Sequence, residues 1–180
     1  MHTTIASLAA SLTTLTLFAL PQAQRRPDFS GHWVLAEALV TGATRGSTEA
    51  IGPRPTTVNT ISGAAFNCGR ECTIAHKEQT LTIENAQLAE YKGKDKSLVT
   101  PPLTLRLDGR EAEVIDTFSP ARTIPAAATW KGRTLTIETR SGSRTVNQSL
   151  SLDSTQLVVV VVDTFDGERM STVTFKYTKK

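Results

Sequence analysis

The sequence predicts an all-β protein with an antiparallel up-and-down barrel of about 8–10 strands. Side chains alternate between apolar and polar over most of the chain after residue 30, which is the period of a half-buried strand. Turn-forming pairs such as Asp108-Gly109 and Lys131-Gly132 separate the alternating segments at short, regular spacing. A length of 180 residues suits one domain.

The N-terminal segment is predicted to be a secretory signal. Residues 1–20 contain no Asp, Glu, Lys or Arg, and Pro21-Gln22-Ala23 follows them. A short apolar core that ends in a turn-former and a small residue is typical of a cleaved signal. We therefore expect a signal peptide at 1–23, a single domain at 24–180 and export. Because Ser and Thr dilute this apolar stretch, we do not expect it to be a membrane-spanning helix, and we expect no integral membrane span in the mature chain.

Charge and composition argue against a nucleic-acid partner. The net charge is +3, the basic residues do not cluster, and aromatic residues make up 6% of the chain. Nucleic-acid binding requires a concentrated basic face or aromatic stacking platforms. We expect no nucleic acid among the partners.

The two cysteines, Cys68 and Cys72, lie close together in sequence. In an oxidising compartment this spacing favours a disulfide that closes a tight loop. Two free thiols are the simple alternative. A metal site with His76 is a third interpretation, because Cys68, Cys72 and His76 are spaced by four and would share a face of a helix. The segment 73–75 is predicted to be extended, which would hold the three ligands apart, so we expect no metal.

The first strand begins near Gly31. Trp33 and Leu35 alternate with His32 and Val34, and we expect Trp33 to close the core. Glycine, proline, serine and threonine then interrupt the pattern, which predicts a long loop at about 37–71. The later strands are predicted at short intervals, at residues 72–77, 79–86, 103–107, 111–118, 123–130, 133–140, 146–152, 157–165 and 170–178.

One predicted strand is apolar on both faces. Residues 157–162 read Leu-Val-Val-Val-Val-Val. A strand in a barrel buries one face only, so the second face of this segment needs cover from the long loop or from a neighbouring chain.

Several short motifs carry a family resemblance. Gly31-His32-Trp33 on a first strand, after an apolar leader and before a series of hairpins, resembles the Gly-x-Trp signature of lipocalins and related calycins. The chain is also similar to a group of uncharacterised exported bacterial proteins, through motifs taken in order: Asp28-Phe29-Ser30-Gly31-His32-Trp33, Leu107-Asp108-Gly109, Trp130-x-Gly132 before Leu135-x-Ile137, and Leu150-Ser151-Leu152-Asp153.

The resemblance implies a lipocalin-like barrel in the periplasm or outside the cell, with Gly31 and Trp33 in structural roles. In lipocalins an arginine from the last strand lies over this tryptophan. The resemblance therefore implies that Lys179 or Arg169 takes that place here.

The sequence contains no recognisable catalytic constellation. His32 and His76 have no motif partners, and Gly142-Ser143 lacks the strand–Ser–helix context of a nucleophile elbow. The glycine-rich segments precede strands rather than helices, so no phosphate loop is present. We expect a non-enzymatic protein without a cofactor.

Two function classes remain open. A closed barrel can hold one small apolar molecule, and the candidate ligand-binding residues are then Trp130, Leu105, Leu107, Ile137 and Phe175. Trp130 lies beside a turn and can act as an end plug or as a pocket-lip residue. The alternative is a structural or interaction module of the cell envelope whose barrel is filled by its own side chains. The wider set of positions predicted to face inwards is Leu35, Leu81, Ile83, Leu105, Leu107, Leu135, Ile137, Leu150, Leu152, Val173 and Phe175.

Overall fold

Alternation of apolar and polar residues produces strands throughout the part of the chain that the structure describes. The structure is a computed structural model, and it describes residues 25–42, 48–51, 65–85, 102–116 and 119–180. In these ranges the chain forms eleven strands and no helix. Their bounds are β1 (Gly31–Gly42), β2 (Thr48–Ile51), β3 (Glu71–Lys77), β4 (Thr80–Asn85), β5 (Leu103–Arg106), β6 (Ala112–Asp116), β7 (Ser119–Lys131), β8 (Thr134–Ser141), β9 (Arg144–Asp153), β10 (Gln156–Phe165) and β11 (Glu168–Lys179).

The strands form one antiparallel sheet in the order β5-β4-β3-β1-β11-β10-β9-β8-β7-β6, and the short β2 pairs with β1. From β6 to β11 each strand pairs with the next one along the chain. The first and last strands, β1 and β11, pair over most of their length. The predicted all-β, up-and-down barrel is therefore confirmed.

The two ends of the strand order, β5 and β6, are joined by the turn at residues 107–111. In this turn the Gly109 N–H donates to the Ala128 carbonyl on β7 at 3.0 Å, and the Leu107 N–H donates to the Gln79 carbonyl at 2.8 Å. The bond to Ala128 brings the chain after β5 against β7 and nearly closes the barrel, and the bond to Gln79 extends the pairing of β5 with β4. Near-closure leaves few unpaired edge groups, which protects the sheet from pairing with other chains.

The core fills the barrel interior with residues two apart on each strand. Leu135 and Ile137 on β8 and Leu150 on β9 are 0% exposed, as are Leu157 and Val159 on β10. All eleven positions predicted to face inwards belong to the core or pack against it. Period-two patterning therefore identified the inner face correctly.

The loop predicted at 37–71 begins later than expected, because β1 continues to Gly42 and pairs with β2. A bulge between Leu35 and Glu37 shifts the register by one residue. Ala38 and Val40 therefore continue the inner face, opposite Phe175 and Val173, and strict alternation from Trp33 fails at this point. β3 begins at Glu71. Residues 43–47 and 52–64 of the predicted loop, and the predicted signal at 1–23, lie outside the described residues.

The outer face of β10 carries Val158, Val160 and Val162, which are half-buried. Their cross-strand neighbours are polar: Ser151, Ser149 and Asn147 on β9, and Lys176, Thr174 and Thr172 on β11. The carbon atoms of these long or branched polar side chains shield part of each valine. No helix in the described ranges has the length and hydropathy to cross a bilayer.

Candidate functional site

The barrel has two different ends, which we call the capped end and the far end and define by where β1 and β11 begin and finish. At the capped end, β1 begins at Gly31 and β11 finishes at Lys179; at the far end, β1 finishes at Gly42 and β11 begins at Glu168. The segment Arg25–Ser30 precedes β1, and its Phe29 is 0% exposed.

Trp33 closes the capped end from the first strand. It is 2% exposed, its indole N–H donates to the Phe29 carbonyl at 2.8 Å, and the Lys179 ammonium lies 5.7 Å from the centre of its ring. The Lys179 side chain crosses Gly31, where a Cβ would meet Lys179 Cε at 2.4 Å. The structure thus places Lys179, one of the two basic residues implied by the lipocalin resemblance, over the tryptophan.

A second aromatic cluster completes the cap. Phe29 and Trp130 stack nearly parallel, with centroids 5.7 Å apart, and the His76 ring lies 5.9 Å from Phe29 and 5.8 Å from Trp130. The guanidinium of Arg26 lies 5.4 Å from the Trp130 ring centre. Phe29 therefore joins β3 to β7, which are not neighbours in the sheet, so the end of the barrel is covered. Trp130 is half-buried at this end.

His76 anchors the capping segment in its neutral form. Its Nδ1 accepts from the Phe29 N–H at 3.4 Å, and its backbone N–H donates to the Ser30 hydroxyl at 3.0 Å. Burial lowers the pKa of His76, which outweighs the opposing effect of the Asp28 carboxylate; the nearby Arg26 charge lowers it further. A neutral ring keeps Nδ1 free to accept.

At the far end the segment Ala65–Arg70 enters the barrel. Phe66 is 4% exposed and Gln148, on the inner face of β9, is 1% exposed. The Gln148 carboxamide accepts from the Phe66 N–H at 2.8 Å and donates to the Phe66 carbonyl at 2.8 Å. One side-chain amide thus satisfies both backbone groups of a buried residue, as a neighbouring strand would.

Three further contacts hold this segment. The Tyr177 hydroxyl donates to the Gly69 carbonyl at 3.2 Å, and the Asn85 amide donates to the Asn67 carbonyl at 3.2 Å. The Leu35 N–H donates to the Arg70 carbonyl at 2.8 Å. Burial raises the pKa of Tyr177, which keeps its hydroxyl protonated and able to donate.

A disulfide joins Cys68 to Cys72 with a Cα–Cα distance of 4.9 Å. The bond ties the inserted segment to the start of β3, and both cysteines are at most 1% exposed. The predicted pairing is therefore confirmed, and the free-thiol and metal interpretations of these cysteines are wrong. In the described ranges no group of three His, Cys, Asp or Glu side chains could hold a metal ion.

The inner face is less buried on the β1–β11 side of the far end. Val159 is 0% exposed, whereas Phe175 opposite it, and Ala38 opposite Phe175, are half-buried. In the next row Val161 is 2% exposed and Val173 7%, while Val40 is half-buried. Inward-facing apolar surface therefore remains accessible around Phe175.

A polar pair lies on the neighbouring strands β9 and β10 at the far end. Asp163 is 8% exposed, and the Arg144 guanidinium donates to its two carboxylate oxygens at 2.8 and 2.7 Å. The two-point geometry fixes both side chains, and it places an ion pair on the inner face of β9 and β10.

The five candidate ligand-binding residues do not form one site. Leu105, Leu107 and Ile137 are 1%, 6% and 0% exposed and belong to the packed core. Trp130 lies in the cap, where it lines one recess together with the edge of Leu107, and of the five only Phe175 adjoins the accessible inner surface of the far end. The patterns identified inward-facing positions but could not show which of them remain uncovered.

Sequence reasoning missed the polar residues that hold the inserted segment. Gln148 and Asn85 each interrupt a row of apolar inward-facing residues on its strand. These two polar residues at core positions were the signal that the sequence offered. A buried amide requires hydrogen-bonding partners, so a Gln at a core position predicts a polar backbone segment beside it. Arg26 and Phe29 gave no period-two signal because they precede the first strand.

The chain matches no protein-family model and no curated protein. Two solved structures are similar to it in part. One is a secretory abundant heat soluble (SAHS) protein from Ramazzottius varieornatus, with 13% identity, a TM-score of 0.43, and coverage of 61% of this chain and 70% of that one. The other is a point mutant of the fluorescent protein UnaG, with 13% identity, a TM-score of 0.48, and coverage of 84% and 95%. Since both TM-scores lie below 0.5, the lipocalin-like barrel is assigned from strand order and register alone.

Proposed function

We propose that this protein is an exported, non-enzymatic binder of one small apolar molecule, held inside the barrel at the far end beside Phe175. The observation that carries the proposal is the loss of burial along the inner face from Val159 to Phe175 and Ala38. Apolar surface that stays accessible inside a barrel is favourable for an apolar ligand to cover.

The position of the inserted segment supports the same site. Gln148 holds Phe66 inside the far half of the barrel, and Tyr177, nearer the capped end, holds Gly69. The segment therefore occupies part of the interior, and our proposal puts the ligand between it and the β1–β11 side. A compact ligand fits this arrangement better than a long chain.

The Cys68–Cys72 disulfide supports export, because disulfides persist in oxidising compartments. The predicted signal at 1–23, and the resemblance of the Asp-Phe-Ser-Gly-x-Trp start to exported bacterial proteins, are further reasons to propose a periplasmic or extracellular location. The polar groups of Gln148, Asn85 and Tyr177 all make structural hydrogen bonds, which favours binding over catalysis.

A second candidate is a cell-envelope interaction module with a filled barrel. The observation that favours it is the same Gln148–Phe66 pairing, because a segment held this firmly can serve as a permanent occupant. The two candidates differ in whether the surface around Phe175 accepts a molecule from outside.

The test places a reporter on each face of β11. The Phe175→Trp variant carries an indole on the inner face, and the Thr174→Trp variant carries one on the outer face, one residue away. Each is titrated with the uncharged fluorophore N-phenyl-1-naphthylamine. We expect bound N-phenyl-1-naphthylamine to protect the new indole of F175W from quenching by acrylamide, because this readout depends on direct cover of the ring, and we expect no such protection of the outer indole in T174W.

Equal responses of F175W and T174W, or no response in either, would overturn the binding proposal and leave the filled module. Native mass spectrometry of protein purified from its own cells adds an independent readout. A reproducible mass adduct that N-phenyl-1-naphthylamine displaces is expected, and ligand-free spectra throughout would count against the proposal.

A further inference from the structure

We propose that the capped end carries a separate site for a small anion attached to a flat apolar group, such as an aromatic carboxylate or phosphate. This site lies at the opposite end from the proposed apolar ligand and does not depend on it. It is formed by Arg25, Arg26 and Arg133 around the edge of Trp130.

The anion-binding part is a recess of about 390 Å³ lined by Arg25, Arg26, Pro27, Asp28 and Arg133. The three guanidinium groups make no ion pair or hydrogen bond with any described residue, and the lining contains one carboxylate. Guanidinium groups bind carboxylate and phosphate oxygens through paired N–H donors. Three of them converging on one concave surface leave an excess of positive charge without a partner.

Asp28 does not neutralise this charge fully. Its Oδ1 accepts from the Ser30 N–H at 2.9 Å and lies 3.6 Å from Nδ1 of His76. The carboxylate is thus used to position the capping segment, and its hydrogen bonds to Ser30 lower its pKa. At neutral pH the recess retains a formal charge of +2 from its lining.

The apolar part is a second recess of about 350 Å³, which shares Arg26 with the first and is lined by Leu107, Thr129 and Trp130 together with Gln79 and Asp108. The Asp108 carboxylate accepts hydrogen bonds from the Arg106 guanidinium at 2.8 Å and from the Arg110 backbone N–H at 3.1 Å. Leu107 and Trp130 provide apolar surface on which a ring can lie.

Trp130 adds a second, independent indication. Its indole N–H is buried and has no hydrogen-bond partner among the described residues, whereas the N–H of Trp33 is bonded to Phe29. An unsatisfied buried donor is destabilising. Arg26 lies over the same ring, so an anion bound by Arg26 would lie close to the indole.

The test uses the two indole N–H signals in a ¹⁵N–¹H correlation spectrum, assigned with a Trp130→Phe variant. Titration with 1-naphthoate or with 1-naphthyl phosphate should shift the Trp130 signal saturably and shift the Trp33 signal much less. The two compounds decide which head group the site prefers. Uncharged 1-naphthol should bind at least tenfold more weakly, and raised salt should weaken both anions.

Variants identify the charges. Arg26→Gln and Arg133→Gln should each raise the Kd of the preferred anion by about tenfold or more, because each removes a charge-assisted contact. Arg169→Gln is the matched control, since Arg169 is an exposed arginine at the far end, and it should change the Kd less than twofold.

Three results would overturn the site: no shift of the Trp130 signal at millimolar anion, equal binding of 1-naphthol, or equal weakening by R169Q. If the anion site is overturned, the result expected for F175W at the far end does not change, so the two proposals are tested separately.

Discussion

The side-chain amide of Gln148 binds both backbone groups of Phe66, across 82 residues of sequence. The contact brings a non-strand segment into the barrel and satisfies its polar groups there. We expect it to be among the largest single polar contributions to stability.

Replacing Gln148 by Leu should lower the free energy of unfolding by about 2–5 kcal/mol, because the Phe66 N–H and carbonyl each lose their partner. Asn147→Ala, one residue away on the outer face, is the control and should cost less than about 0.5 kcal/mol. Urea denaturation followed by circular dichroism measures both. Similar losses for the two variants would show that the amide pairing contributes little.

The Cys68–Cys72 disulfide closes a short loop, so its loss should cost about 2 kcal/mol on the chain-entropy estimate. The comparison is between the protein and the Cys68→Ala/Cys72→Ala double variant in urea denaturation, each with and without dithiothreitol. Reductant should destabilise only the protein that contains the cysteines. An unchanged midpoint after verified reduction would contradict the expectation.

Gly31→Ala should destabilise the capped end for two reasons. The backbone has φ of +146°, and the new Cβ would meet Lys179 Cε at 2.4 Å. Together these predict a loss of about 2–4 kcal/mol. Gly142→Ala is the matched control. Its φ is also positive, at +60°, but an added Cβ would have no neighbour within 4 Å, so we expect a loss of only about 1 kcal/mol.

Adding Lys179→Ala to Gly31→Ala separates the two costs. The double variant should recover the part that comes from the side-chain contact and keep the part that comes from φ. If Gly31→Ala and Gly142→Ala cost the same, Lys179 does not constrain this position.

Stability should fall as the pH is lowered from about 7 to about 5. The pKa of His76 is lowered in the folded protein, chiefly by burial, so in this range the unfolded chain binds a proton that the folded ring resists. The depressed pKa values of Asp28 and Glu71 act at lower pH, near their ordinary range of about 4.

The measurement is the urea midpoint at several pH values for the protein and for His76→Gln. The variant should show a shallower decline between pH 7 and pH 5, because the group that resists protonation is absent. Parallel curves for the two proteins would exclude His76 as the cause.

Much of the fold was predictable because a barrel strand repeats every two residues. The hairpins from Thr134 to Lys179 fall where the apolar positions and the turn pairs indicated. The prediction failed at residue 37, where the bulge moves Ala38 and Val40 onto the inner face. A bulge adds one residue without an obvious change in composition, so the alternation that starts at Trp33 no longer identifies the inward-facing residues after the bulge.

The candidate site was less predictable, for a different reason. Inward-facing residues are set by local alternation, but their exposure depends on what else enters the barrel. Leu105 and Ile137 are covered and Phe175 is half-covered, although all three have the same sequence pattern.

Local chemistry alone determined the all-β class, the inner face and the disulfide, because pleat, turn and cysteine spacing act over a few neighbouring residues. Tertiary structure decided that Phe66 meets Gln148, that Lys179 covers Trp33, and that three arginines gather beside Trp130. Each of these contacts joins residues far apart in the chain, and their proximity follows only from closure of the sheet.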